Sequence, residues 1–106
     1  MYFNLTDNGV KSEQTILTFH GAPGNVQDWS GVQSYMGERV RWINVATPGF
    51  DGEDERRGNY MGTYPDIKKA VINLIKSLEL KRVIILAHSF GTNFSTRIVR
   101  DCPGLF

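Results

Sequence analysis

Three short apolar runs rich in β-branched residues, Thr15 to His20, Val40 to Ala46 and Arg82 to Ala87, recur along the chain with helix-sized gaps between them. Each is bounded by turn residues and is nearly continuous in apolarity instead of alternating, which is the pattern of strands covered on both faces in a parallel sheet. Parallel neighbours need crossovers, and the gaps supply them. A first helix is predicted from Val26 to Met36, with Asn25 capping its free N–H groups, Asp28 completing a capping box and Gly37 ending it. A second opens at Thr63-Tyr64-Pro65-Asp66 and places Ile67, Ala70, Val71, Leu74, Ile75 and Leu78 on one face. A third starts after Ser89 and stops by Asp101 or Cys102, because Pro103 biases its predecessor away from the α region. A short strand is expected near Tyr2 to Leu5. The fold class is therefore α/β, a parallel sheet with flanking helices, in one domain over residues 1–106. The stretch from Gly49 to Gly62, with its mixed charge run from Asp51 to Arg57, reads as a long solvated loop.

Composition narrows the function classes. Hydrophobic residues make up 41% of the chain and charged residues 22%, which is a globular and not a disordered balance. A formal net charge of +1 leaves no electrostatic footprint for nucleic acid or an anionic membrane surface. The longest apolar run, Val83 to Ala87, is far too short to span a bilayer. The first residues lack a secretory signal, so the expected location is cytoplasmic. One cysteine, Cys102, and two histidines, His20 and His88, provide neither a disulfide nor a set at metal-ligand spacing. Neither glycine-rich phosphate motif occurs.

The positive signal is Ala87-His88-Ser89-Phe90-Gly91, at the end of a predicted strand and the start of a predicted helix. A nucleophile elbow belongs at such a junction, and its turn is so tight that the residues two before and two after the serine must be small, as Ala87 and Gly91 are. By average residue usage a small-x-Ser-x-Gly pentapeptide arises by chance in a chain this long with a probability of about one in ten. Alone, Ser89 is more simply a helix N-cap. A second element, His20-Gly21-Ala22-Pro23-Gly24, ends an earlier strand and favours the elbow reading.

Together these elements resemble the α/β-hydrolase fold family. The resemblance implies that Ser89 is the nucleophile acting on an ester-, amide- or thioester-like bond, and that the backbone N–H groups of Ala22 and Phe90 form the oxyanion hole. His20, Gly21 and Gly24 would shape the supporting loop, and His88 and Gly91 the elbow. His20 is expected to organise the loop and not to serve as a base, and His88 to be a packed strand-end residue. The segment Thr47-Pro48-Gly49-Phe50-Asp51-Gly52 is similar to the family's P-G-F-G turn, with Asp51 at the second glycine. No cofactor is implied; a small-molecule substrate or ligand is the expected partner.

The family's triad runs serine, acid, histidine, yet the residues after Ser89 include one acid, Asp101, and no histidine. The chain is thus expected to be the N-terminal part of a hydrolase, truncated and inactive by itself, with self-association or a missing C-terminal half covering the exposed edge of the Arg82 to Ala87 strand. The alternative is a non-catalytic binding or interaction domain on the same fold. Trp29 and Trp42 read as core or rim aromatics. Arg97 and Arg100 make the helix after the elbow unusually wet, either as a solvated face or as a binding one.

Overall fold

The computed structural model describes residues 3–21, 24–36, 39–47 and 63–106. Four strands form one sheet: β1 (Leu5–Asp7), β2 (Thr15–Phe19), β3 (Arg41–Val45) and β4 (Val83–Ala87), in the order β1-β3-β2-β4. The pairs β2–β3 and β2–β4 are parallel. The pair β1–β3 is antiparallel, so the sheet is mixed and not wholly parallel. The N-terminal strand also lies later than the apolarity of Tyr2 to Leu5 implies. Its position is set by cross-strand partners: Asp7 binds Arg41 at 2.6 Å, and the Asn4 carbonyl and Asn8 amide extend the pairing to Ala46 and Trp42. Among the described residues, no helix is long and apolar enough to cross a membrane.

β2 is buried along its whole length, in keeping with its nearly continuous apolarity. Leu17 and Phe19 of β2, with Ile43 and Val45 of β3, meet two helices, α2 (Tyr64–Ser77) and α3 (Phe90–Asp101). Ile67, Val71 and Ile75 of α2 and Phe94 and Ile98 of α3 complete this core, and the Phe19 and Phe94 rings stack edge to face at 5.0 Å. α2 begins as its sequence dictates, with Thr63 and Asp66 forming a capping box and Pro65 in the first turn.

The opposite face of the sheet is polar and aromatic. Asn44 sits between Thr6 and Thr18 on the neighbouring strands. Its amide oxygen accepts from Thr18 Oγ1 at 2.7 Å and from Trp42 Nε1 at 2.5 Å, while Nδ2 donates to Thr6 Oγ1 and Gln33 Oε1. Trp42 is buried, as expected of a core aromatic. Trp29 is half-buried, and its indole N–H meets no partner among the described residues.

The first predicted helix divides in two. Asn25 and Asp28 form the capping box, but Val26–Trp29 is a 3₁₀ turn and the α-helix α1 covers only Ser30–Met36. The Asp28 amide bonds the Asn25 carbonyl three residues back, which tightens this first turn. No residue of α1 is buried, and Tyr35 is 93% exposed. β4 pairs with β2 alone among the described residues, and its Ile84 is 49% exposed. The loop from Gly49 to Gly62 and the Pro48–Gly52 part of the turn motif lie outside the described residues.

The polar face of α3 is a solvated electrostatic cluster. Arg97 stacks over the Tyr64 ring at 3.7 Å, and Asp101 receives Arg100 at 2.9 Å and the Tyr64 hydroxyl at 2.7 Å. Those two hydrogen bonds, Arg100's first, pull the Asp101 carboxyl down to about 2. Asp7 is lowered in the same direction, chiefly by its hydrogen bond from Arg41. A carboxylate lowered on folding stabilises the fold above its ordinary pKa, and the benefit disappears as pH falls through the folded value. The urea midpoint should therefore drop as pH falls from about 4 towards about 2. The double variant Asp7→Asn, Asp101→Asn should show a shallower drop across that window; an unchanged slope would show that neither carboxylate carries the acid sensitivity.

Candidate active site

The chain runs from β2 outward to β3 and returns on the other side of β2 to β4, so the direction of travel across the sheet reverses between β2 and β4. Loops leaving the carboxyl ends of strands at such a reversal form the ligand crevice of open α/β sheets. The two strands end level, Phe19 opposite Ala87, and the residues that follow are His20 and His88. The His88 amide still donates to the Phe19 carbonyl at 3.1 Å, so the two loops leave the sheet side by side.

At the β4–α3 junction the backbone is strained. Ser89 has φ 51° and ψ −117°, a conformation that a residue with a Cβ seldom adopts. Backbone hydrogen bonds hold it there: Gly91 N–H to the His88 carbonyl at 3.0 Å and Thr92 N–H to the Ser89 carbonyl at 2.9 Å. Ser89 stands at the N-cap position of α3, yet its side chain makes no capping bond, and the residue is exposed. The plain-cap alternative therefore does not describe its hydroxyl. A Cβ on Gly91 would lie 2.6 Å from the Phe19 carbonyl oxygen and 3.0 Å from that of His20, so the elbow packs on β2 only with glycine here. Phe90 opens α3 directly after the serine.

The His20 loop lies against this elbow. A Cβ on Gly21 would come within 2.8 Å of His88 Nδ1 and 3.2 Å of Ser89 Cβ. Gly24 folds back over the same loop, where a Cβ would approach the Gly21 carbonyl oxygen to 2.6 Å. Ala22, the other expected oxyanion donor, lies outside the described residues, as does Pro23.

His20 is buried, and both ring nitrogens are engaged. Its Nε2 accepts the Thr47 backbone N–H at 2.9 Å, which leaves the proton on Nδ1 to donate to the Gly21 carbonyl at 2.7 Å. The ring thus has a loop-organising position, and no lone pair remains for a proton from Ser89. His88, in contrast to the packed residue expected, is exposed: its ring lies beside Gly21, with no element among the described residues laid over it. No histidine nitrogen of the described residues hydrogen-bonds Ser89. The described residues also hold no cluster of three potential metal ligands. The surface recesses along α2 and at the start of β4 are lined by none of His20, Gly21, His88 and Ser89.

Thr47 is the residue sequence reasoning missed. It enters the sequence reading only as the first residue of a turn, whereas its buried side chain donates to the His20 carbonyl at 2.6 Å. The contact spans 27 residues, so no local pattern announces it.

Residues 2–103 match the model of a family described as α/β hydrolase of unknown function, DUF1057. An uncharacterized hydrolase, YugF of Bacillus subtilis, is 26% identical over 93 residues, which is 88% of this chain and 34% of that protein. Among solved structures, a marine microorganism esterase superposes with a TM-score of 0.77 at 17% identity, covering 98% of this chain and 38% of its own. A provisionally named non-heme bromoperoxidase, BpoC of Mycobacterium tuberculosis H37Rv, gives 0.80 at 19% identity, covering 99% and 38%. The chain spans about a third of the length of the relatives it matches.

Proposed function

Since the chain belongs to this α/β-hydrolase family and corresponds to an N-terminal part of the fold, we propose that Ser89 is the nucleophile of a hydrolase acting on an ester-, amide- or thioester-like bond. The observation that carries the reading is the Ser89 backbone, held at φ 51° with an exposed side chain that does no capping work. Strain of this kind costs about 1–3 kcal/mol and persists where the surroundings enforce it, which is common at reacting residues. In the proposed step Ser89 Oγ attacks the carbonyl carbon, its proton passes to a base, and the carbonyl oxygen becomes an oxyanion held by the Phe90 and Ala22 N–H groups. His20, with both nitrogens engaged, is not that base.

With no histidine nitrogen of the described residues bonded to Ser89, the chain alone is expected to acylate slowly and to turn over esters near the uncatalysed rate, since an oxyanion hole supplies only a residual part of triad catalysis. A fluorophosphonate probe tests the reading: slow labelling at Ser89, located by mass spectrometry and lost in Ser89→Ala, supports it. Labelling that survives Ser89→Ala refutes it. A folded chain that takes no label but still binds an ester analogue points to the second reading, a binding domain on the same fold, which a Ser89 side chain without a capping bond also permits. Brisk turnover abolished by Ser89→Ala would place a working base within the chain.

A further inference from the structure

Strand pairing between β2 and β3 ends at Phe19 and Val45, so no ladder of sheet hydrogen bonds holds the chain at His20 and Gly21. Thr47 takes over where the ladder stops. Its backbone N–H donates to His20 Nε2 at 2.9 Å and its hydroxyl to the His20 carbonyl at 2.6 Å, with both residues buried. One residue therefore grips the histidine by ring and backbone together. The first bond settles the ring state, because a nitrogen that accepts must be unprotonated, and the proton on Nδ1 then holds the Gly21 carbonyl at 2.7 Å. Gly24 closes over that bond, its Cβ position lying 3.0 Å from His20 Nδ1. Gly21 in turn lies against Ser89.

We infer that Thr47 is a positioning residue for the Ser89 site, a two-point clamp that fixes the His20 ring state and through it the loop beside the nucleophile. Its purpose rests on the serine-hydrolase reading; its geometry does not. Thr47→Val keeps the volume and the backbone N–H but leaves a buried carbonyl without its donor, so residue 47 is held to His20 by the ring bond alone and that bond loosens, whereas Thr47→Ser keeps the hydroxyl and both points.

Nitrogen-15 spectra of the histidine rings, read with amide exchange in the 106-residue chain, need no substrate and so separate this inference from the hydrolase reading. The wild type should show His20 protonated on Nδ1 and a protected amide at position 47. Thr47→Val should mix the ring states and speed exchange at position 47 by about tenfold while Val71 and Ile75 in α2 stay as they were, and Thr47→Ser should restore both. An Nε2-protonated ring in the wild type overturns the inference. So does a valine variant with unchanged ring and amide, or one in which the α2 amides accelerate equally. Should Thr47→Val fail to fold, the ring state of the wild type and of Thr47→Ser decides. A hydrolase reading that fails alone would show as absent probe labelling with these spectra intact.

Discussion

Gly91→Ala should lower stability by about 2 kcal/mol, although alanine is the better helix former. A new methyl at this point meets the Phe19 carbonyl oxygen at 2.6 Å and Phe19 Cβ at 3.0 Å. These belong to the buried central strand, not to the tip of a flexible side chain, so either β2 or α3 must move. Forced overpacking costs about 1–3 kcal/mol, and the helix preference of alanine returns at most about 1. Because α3 carries Phe94 and Ile98 into the core, its displacement would be felt there too. Urea unfolding of the two proteins measures the difference; an alanine variant as stable as the wild type would mean that the elbow does not press on β2.

Ser89→Gly should have the opposite sign, gaining about 1 kcal/mol while abolishing probe labelling. Glycine adopts positive φ without a steric penalty, so the variant recovers the 1–3 kcal/mol of backbone strain, less the roughly 0.5–1 that glycine costs through the freedom of the unfolded chain. No capping bond is lost, since Ser89 makes none. Ser89→Ala retains both the strain and the missing bond, so its urea midpoint should stay close to that of the wild type. A serine acting as a cap would behave otherwise, losing about 1 kcal/mol to alanine. A glycine variant no more stable than the wild type would deny that Ser89 is strained.

These two positions also mark what was legible in the sequence. The strand runs, the caps at Asn25 and Thr63 and the end of α3 near Asp101 are local signals, and the structure places the elements within a few residues of them. The small residues flanking Ser89 could be read because a tight turn imposes them locally. The resemblance implies one oxyanion hole shared by the His20 loop and the elbow, and the strands that lead into them, β2 and β4, do pair. Beyond reach were the features made by distant partners. The antiparallel sense of β1 depends on Asp7 meeting Arg41, and the His20 ring state depends on Thr47. The partners of Arg97 and Arg100 are likewise distant or set by the helix geometry: Arg97 meets Tyr64 of α2, and Arg100 meets Asp101, which also accepts from Tyr64.

Strands as apolar as β2 and β3 carry little alternation to tell one pairing from the next, and slipping by a residue exchanges the faces of every side chain. The row Thr6, Asn44, Thr18 removes that ambiguity. In the observed alignment the Asn44 oxygen and amide nitrogen are both satisfied, and the Trp42 indole with them. Shifted by one, Asn44 would turn towards Phe94 and Ile98 with its three hydrogen bonds to Thr18, Thr6 and Gln33 broken, a cost that no rearranged apolar contact would repay. The single asparagine thus serves the sheet as an alignment key: it excludes the neighbouring misalignments of β2 and β3, and so keeps level the two strand ends from which His20 and Thr47 follow.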